Sequence, residues 1–322
     1  MEFMKFTAGI NDKGRRLDKI VRKMIPESKI SSLYSSIRKG LIRVNEKKCD
    51  ISLKINEGDV ISIAAFLITN AHKPEENSNF EPQIKFQTVF SNDFIRIINK
   101  PYDISVHSEN GLASAVEKIY KSEQHEKSLS FKTGPLHRLD RKTTGLLAFS
   151  NNLQGAEWFT KAISEKKIQK YYIGICQGRL EKPEHWNDYI VQDHSKSSFY
   201  KMKVSLKDTD EKNLASTICT PLSYGTYKTK PVTLCQFQIL TGKKHQIRLQ
   251  SSFHGIPLLG DTAYGADKVN SFQDLYLHAY KLFIPDNNPI ELPVEITADL
   301  PENFTKFLKV SLINWDYRLI IN

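Results

Sequence analysis

No run of 18 apolar residues occurs among the 322 residues of this chain, so the sequence predicts no membrane-spanning helix. The first residues also lack the apolar segment and the small-residue cleavage site of a secretory signal. Cysteine is scarce, and no CxxC pair occurs among Cys49, Cys176, Cys219 and Cys235. This spacing predicts neither a zinc site nor a disulfide framework, and we expect a cytoplasmic protein without a metal ion.

Two further absences bear on the fold. No internal repeat of 20 to 50 residues is visible along the chain. From Phe86 onward the sequence is rich in β-strand patterns, but these do not alternate regularly with helical patterns as in a chain of βαβ units. We therefore expect an α+β fold with a mixed sheet rather than a doubly wound parallel sheet.

Positive charge is abundant and concentrated. The chain carries a net charge of +10, and residues 13–48 alone hold seven Lys and five Arg against three acids. A phosphate polyanion is the natural partner of such a patch, because each neutralised phosphate releases bound counterions. A merely solubilising surface remains the alternative at this point.

The same basic segment has the pattern of a small folded unit. Apolar residues recur at amphipathic-helix spacing, namely Leu17, Ile20, Val21, Met24 and Ile25. Pro26 is expected to end this helix, and a second helix is predicted over residues 30–39 with Gly40 as its left-handed cap. Short strands are predicted over residues 41–44 and 60–64.

The stretches GRRLDKIVRKM, KISSLYSSIRKGLIRVNEKK and INEGDVISI in this unit resemble the S4-like RNA-binding domain first described in a small-subunit ribosomal protein. Ser31–Ser32 and Glu46 depart from its usual pattern. We expect a small N-terminal α/β RNA-binding domain over residues 1–65 and a linker over residues 66–84. The RNA contacts expected on this domain are Arg15, Arg16, Lys19, Arg38 and Lys39.

Three later segments carry residues suited to chemistry, and each has an ordinary structural interpretation. In HRLDRKTTGLLAFS, Asp140 stands between two arginines, a pattern typical of a surface ion pair. In KYYIGICQG, a tyrosine at a strand start usually packs into the core. In TGKKHQIRLQSSFHGIPLLGDTAYG, a helix ending at Gly255 would half-bury Arg248, which then requires an acidic partner.

Together and in this order, the three segments resemble the RluA family of pseudouridine synthases. Two flanking stretches, IRIINKPYDISVHS upstream and LHAYKLFIP downstream, extend the resemblance over about residues 88–300. The resemblance implies a pseudouridine-synthase fold over residues 85–322, with a mixed, largely antiparallel sheet flanked by helices and loops. It also implies a monomeric enzyme that acts on structured RNA, with large-subunit (23S) ribosomal RNA first and transfer RNA second.

The resemblance assigns roles to particular positions. Asp140 matches the catalytic aspartate, Tyr172 the active-site tyrosine, and Arg248 the arginine that pairs with the aspartate. Arg138 matches the arginine that enters the RNA stack when the uridine leaves it. Further RNA contacts are expected from His137, Lys243 and His245. Departures from the family pattern occur at Asp103, Thr144, Lys243 and Gln250.

The implied reaction explains why these groups are needed. A carbon–nitrogen bond breaks, the base turns, and carbon 5 is joined to the sugar, so the target must first flip out of its helix. Asp140 either adds to the anomeric carbon or removes the ribose 2′ proton, and the sequence leaves both routes open. All atoms are retained, so we expect no cofactor. The rival hypothesis is a non-catalytic RNA-binding ribosome-assembly factor in which Asp140 and Arg248 are only a stabilising ion pair.

Overall fold

The amphipathic pattern near the N-terminus folds into a small sheet covered by two helices. β1 (Phe3–Thr7), α1 (Leu17–Met24), α2 (Ile30–Arg38), β2 (Ile42–Val44) and β3 (Val60–Ala64) form this part. The strands are antiparallel in the order β1–β3–β2. The structure is a computed structural model that describes residues 1–25, 30–68, 84–123, 128–193, 202–207, 210–269 and 273–311.

The apolar stripe predicted for α1 does face the core of this small unit. Leu17, Ile20 and Val21 are fully buried, while the helix ends at Met24 before Pro26, which lies outside the described residues. Gly40 caps α2 in the left-handed conformation with a φ of 73°, as the sequence predicted. β1 was not predicted, because it is a largely exposed edge strand without apolar alternation.

The remainder of the described chain is organised around one large sheet. Its elements are β4 (Gln87–Ser91), β5 (Ile95–Lys100), α3 (Leu112–Glu123), β6 (Thr144–Ser150), α4 (Leu153–Ser164), β7 (Gln169–Gln177), β8 (Glu184–Gln192), β9 (Met202–Ser205), β10 (Leu214–Tyr227), β11 (Lys230–Ile239), α5 (Gln246–Phe253), β12 (Leu277–Phe283), β13 (Glu295–Thr297) and α6 (Glu302–Val310).

The order of the strands confirms the expected mixed sheet. It runs β4–β5–β6–β12–β7–β11–β10–β8–β9, with β13 paired beside β12. Among the described strands only β6 and β12 are parallel, and the other pairs are antiparallel. A chain with this connectivity and with helices packed against the sheet is an α+β fold, as predicted.

β6 is an interior strand of the large sheet and is buried along its whole length. Leu147 and Phe149 pack into the apolar cluster on one face of the sheet, whereas Leu146 and Ala148 pack into the cluster on the other. Burial on both faces explains why this strand reads as a continuous apolar run. The polar loop before β6, residues 137–143, therefore starts from a firmly held strand.

The proposed domain boundaries remain a prediction. The two sheets occupy residues 3–64 and 87–297, which fits a small and a large unit. The predicted linker, 66–84, begins inside a short 3-10 helix (Ala65–Leu67), and residues 69–83 lie outside the described part of the chain.

Gly145 provides a test of how tightly β6 and β12 are joined. Its φ is 106°, and an added Cβ would overlap the backbone of Ala279 on β12. We expect Gly145→Ala to lower the free energy of unfolding by about 3 kcal/mol or more, because both strain and overlap oppose it. Gly58→Ala is the control, since its φ is 83° but nothing lies within 4 Å of the added carbon.

Urea unfolding followed by tryptophan fluorescence measures both variants. Gly58→Ala should lose only about 1 kcal/mol from left-handed strain. Equal losses in the two variants would show that the contact with Ala279 is not a tight one.

Candidate active site

An open cleft of about 430 Å³ lies between the large sheet and the N-terminus of α5. Its walls come from the loop before β6, from β7, from the end of β11, from the start of β12 and from the residues that lead into α5. Six of the predicted site residues line this one cleft, namely Arg138, Asp140, Tyr172, Lys243, His245 and Arg248. Chain segments more than 100 residues apart in sequence therefore meet where the sequence motifs predicted.

The loop that carries Asp140 is held from beneath by a buried lysine. Lys100, at the end of β5, has no exposed surface, and its Nζ donates hydrogen bonds to the carbonyls of Arg141 (2.7 Å), Thr143 (2.9 Å) and Pro101 (2.9 Å). Burial lowers the pKa of Lys100 to about 7, although the nearby carboxylates, including that of Asp140, favour the ammonium form. Lys100 thus fixes the loop through its backbone.

Arg248 is shared between two carboxylates. Its Nε and Nη2 donate to the two oxygens of Asp261 at 2.7 and 2.8 Å, and its Nη1 donates to Oδ2 of Asp140 at 3.3 Å. Burial alone would lower the pKa of Arg248, but hydrogen bonds and charge from Asp261, followed by the charge of Asp140, raise it above its ordinary value. The guanidinium is therefore a permanent cation held chiefly by Asp261 and directed at Asp140.

The second oxygen of Asp140 faces the cleft. Nε2 of His245 lies 3.8 Å from Oδ1, which is too long for a hydrogen bond. A 2.7 Å hydrogen bond between Nδ1 of His245 and the hydroxyl of Tyr264 fixes the ring. Burial lowers the pKa of His245, and the positive charges of Arg248 and Lys244 reinforce this effect against Asp140. His245 is therefore mainly neutral at neutral pH, and no side chain in the described part of the chain hydrogen-bonds Oδ1.

Tyr172 faces the cleft from β7. Its side chain is largely buried, and it belongs to the same apolar cluster as Leu139 and Ile247. Burial, together with the charge of Asp140, raises the pKa of Tyr172, so the hydroxyl stays protonated at neutral pH. The ring presents a flat apolar surface beside the carboxylate, which suits stacking against a base.

The expected RNA contacts near the cleft divide into two groups. Arg138 is exposed and has no acidic partner within ion-pair distance among the described residues, so its guanidinium is available to a phosphate or a base. Lys243 lines the cleft, and its Nζ donates to the carbonyl of Lys212. His137 is not among the residues lining the cleft, because its Nε2 accepts the N–H of Ala148 at 3.1 Å. Burial lowers the pKa of His137 to about 3.

The expected contacts on the N-terminal domain are also placed differently from one another. Lys19, Arg38 and Lys39 are exposed on α1 and at the end of α2. Arg16 forms hydrogen bonds with Asp18 at 3.1 and 3.3 Å. Arg15 instead donates to Ser130 of the larger unit at 2.9 Å. Arg15 therefore contributes to the contact between the two units, a role that charge pattern alone did not predict.

The departures from the family pattern have structural partners. The amide of Gln250 is buried, where it donates to Asp188 at 2.7 Å and accepts from Thr217 at 2.6 Å. The hydroxyl of Thr144 hydrogen-bonds Nδ1 of buried His278 at 2.8 Å. Asp103 adopts a φ of 59°, in the left-handed region of the backbone. None of these side chains lines the cleft.

Three residues of the site were missed by sequence reasoning. Asp261, Tyr264 and Lys100 all lie within stretches that carry the family resemblance, namely GDTAYG and NKP. A half-buried Arg248 requires an acidic partner, which indicates that an acidic residue lies nearby. Asp140 alone was expected to be this partner. The structure assigns the shorter contacts to Asp261.

The described residues form neither a metal site nor a membrane-spanning helix. In that part of the chain no group of three or more His, Cys, Asp or Glu side chains is arranged to hold a metal ion. The helices found there are also too short or too polar to span a bilayer.

Comparisons with known proteins agree with this geometry. Residues 95–253 match the family model described as RNA pseudouridylate synthase, and residues 15–61 match the model of the S4 domain. The first match includes Asp140, Tyr172 and Arg248, and the second includes α1 and α2.

Relatives are similar over nearly their whole length. The ribosomal large subunit pseudouridine synthase C of Rickettsia typhi is 27% identical over 302 residues, covering 91% of this chain and 96% of the relative. An uncharacterized RNA pseudouridine synthase of Mycoplasma capricolum is 29% identical over 291 residues, covering 86% and 90%. The solved human RNA pseudouridylate synthase domain containing 4 shares the fold, with a TM-score of 0.57 and 22% identity over 71% of this chain and 94% of that chain.

The shared guanidinium predicts a specific dependence on Asp261. Asp261→Asn leaves Arg248 with a single charged partner in a site where both side chains are largely buried. We expect a loss of about 3 kcal/mol in the free energy of unfolding, because the substitution weakens two short charge-assisted hydrogen bonds to a largely buried guanidinium. Urea unfolding measures this loss.

Asp267→Asn is the matched control. Asp267 pairs with Lys230 at 2.6 Å, but both side chains are more than half exposed, so its loss should not shift the urea midpoint. A midpoint for Asp261→Asn equal to that of the control would contradict the bracing role of Asp261.

Proposed function

The chain belongs to the RNA pseudouridylate synthases and carries an S4 domain, and from this premise we propose that it isomerises uridines in large-subunit ribosomal RNA with the carboxylate of Asp140 as its essential group. The observation that supports this assignment most directly is the carboxylate of Asp140, which is braced by Arg248 on one oxygen and open to the cleft on the other. The names of several relatives include the ribosomal large subunit, and that RNA is our first choice of substrate, with transfer RNA second.

The reaction is a rearrangement in which the atoms balance. The bond between C1′ of the ribose and N1 of the base breaks, the base turns, and C1′ bonds to C5. The proton on C5 then leaves, while N1 gains one. Asp140 either bonds to C1′ as the base departs and leaves again when C5 bonds to C1′, or it takes the 2′ proton of the ribose and returns it once C5 has been joined. Arg248 holds the carboxylate in place throughout.

Tyr172 serves the base rather than the sugar. Its ring lies in the wall of the cleft and offers a stacking surface for the detached uracil while this turns. Because its pKa is raised, the hydroxyl remains a neutral donor or acceptor and assists loss of the C5 proton by hydrogen bonding.

Arg138 prepares the substrate. A base in a helix cannot reach Asp140 until it flips out, which costs a few kcal/mol of stacking and pairing. Arg138 lies exposed at the cleft, where a planar guanidinium can fill the vacated stack and bind phosphate. The basic N-terminal domain adds sequence-independent contacts to phosphates. The enzyme is proposed to act as a monomer in the cytoplasm, where ribosomal RNA is made available to it.

Asp140→Asn tests the essential role. RNA labelled with tritium at C5 of uridine releases the label when C5 bonds to the sugar, so tritium release measures turnover. We expect single-turnover release to fall by about a thousandfold or more, since the amide can neither add to C1′ nor accept a proton. RNA affinity should stay within about threefold, because the RNA backbone is bound elsewhere.

Asp103→Asn is the control for this variant. Asp103 lies beside the same loop, where it pairs with Arg141 at 2.9 Å on the surface and outside the cleft. Its turnover should remain within about twofold of the wild type. Wild-type turnover in Asp140→Asn would refute the mechanism. RNA binding without tritium release from any RNA in the wild type would favour the ribosome-assembly factor.

The N-terminal domain can be tested through the salt dependence of binding. The triple variant Lys19→Ala, Arg38→Ala, Lys39→Ala should reduce the slope of log affinity against log salt by about 3, close to one unit per lost phosphate contact. Filter binding to a ribosomal RNA fragment over a salt series measures this slope.

A matched triple variant, Lys161→Ala, Lys166→Ala, Lys167→Ala, removes three exposed lysines in and after α4. Its slope should equal that of the wild type. If both triple variants change the slope equally, Lys19, Arg38 and Lys39 contribute no more to RNA binding than other exposed basic residues.

A further inference from the structure

A buried carboxylate joins the N-terminal domain to the larger unit. Asp12, between β1 and α1, has no exposed surface and accepts five hydrogen bonds. Four of them come from the larger unit, from the hydroxyls of Ser128 (2.9 Å) and Ser130 (2.6 Å) and from the N–H groups of Leu129 (2.9 Å) and Ser130 (3.0 Å). The fifth comes from the N–H of Gly9 at 3.1 Å.

Three further contacts accompany this carboxylate. Oδ1 of Asn11 accepts the N–H of Leu153 at 3.0 Å, at the first residue of α4. Arg15 donates to Ser130, as described above. The side chain of Leu129 packs against the apolar core of the N-terminal domain. Residues 9–15 and the apolar core of the N-terminal domain therefore contact two separate segments of the larger unit.

These two segments flank the part of the chain that carries Asp140. We call residues 134–150 the catalytic hairpin, because its two arms pair through Leu136 N–H to Ala148 O (2.8 Å) and Ser150 N–H to Gly134 O (3.0 Å). Asp140 lies at the tip, while the contacted residues lie a few positions outside the two arms, residues 128–130 before the first arm and Leu153 after the second. At about 3.3 Å per residue along β6, the base lies on the order of 20 Å from the tip.

These contacts fix the spacing between two RNA-binding elements, the basic N-terminal domain and the cleft. Undocking would remove four of the five donors from a buried carboxylate and expose Leu129, so the docked arrangement is strongly favoured. The exposed Lys19, Arg38 and Lys39 then stand in a fixed relation to the cleft rather than on a loose tether. Two sites held rigidly at the right span bind one RNA far more tightly than either site alone.

We propose that residues 9–15 dock the N-terminal domain rigidly on the base of the catalytic hairpin, so that the enzyme selects RNAs presenting a second phosphate surface at a fixed span from the target uridine. The inference rests on the proposed function, and it specifies the substrate as an extended, folded RNA rather than an isolated stem-loop. Asp12 is a positioning residue, because it touches neither the uridine nor the phosphates.

Asp12→Asn tests the docking from one side, and the double variant Ser128→Ala, Ser130→Ala tests it from the other. Filter binding compares a long fragment of large-subunit ribosomal RNA with a minimal stem-loop that contains the same uridine. We expect both variants to lose about tenfold in affinity for the long RNA and to keep wild-type affinity for the stem-loop. Single-turnover tritium release at saturating RNA should be unchanged.

Asp59→Asn is the control within the N-terminal domain. Asp59 is half-buried and accepts hydrogen bonds from Asn45 (2.9 Å) and Asn56 (2.7 Å), all within that domain. It should leave the preference for long RNA intact. Small-angle scattering provides a readout without RNA, and the radius of gyration should rise in the two docking variants but not in Asp59→Asn.

The outcomes separate the inference from the proposed function. Docking variants that keep the full preference for long RNA and the wild-type radius of gyration would overturn the inference, whatever the turnover. Equal losses of affinity for both RNAs would also overturn it, because the contacts of Asp12 would then support binding at the cleft itself and not the span between two sites. If the affinity ratio falls as expected while the wild type releases no tritium, rigid docking stands and the proposed function fails.

Discussion

The sharing of one guanidinium between two carboxylates is the interaction on which the cleft depends. Arg248 cannot lose its proton, and it lies where water reaches only a small part of its side chain. Asp261 neutralises it with two short hydrogen bonds, which leaves Asp140 at a longer distance and with one oxygen unoccupied. A single carboxylate partner would hold the arginine more simply, but it would have no oxygen left for a sugar.

The rest of the fold serves to bring that trio together. β5 supplies Lys100 beneath the loop, β6 fixes the position where the loop ends, and β7 contributes Tyr172. The turn into α5, where His245 adopts a φ of 57°, aims Arg248 at Asp140. Asp140, Tyr172 and Arg248 come from segments far apart in the chain, so the site forms only when these parts of the fold have come together.

Sequence patterns predicted those features that depend on local chemistry. The helical stripe of α1, the left-handed cap at Gly40 and the end of α5 just before Gly255 all follow from residue type and spacing. The choice of partner does not follow from spacing. Residue type does not distinguish Asp261 from Asp140 as the partner of Arg248. It also does not show that Arg15 binds a serine of the larger unit while Lys19 stays exposed. Only the folded chain decides these contacts.

The buried junction at Asp12 has a consequence for how the protein is made. The N-terminal domain leaves the ribosome before residues 128–130 are synthesised, and domains generally fold in that order. Its carboxylate at position 12 is then in place when Ser128, Leu129 and Ser130 emerge. The acceptor site for residues 128–130 thus exists before those residues are made, and the buried junction can close as the second unit folds.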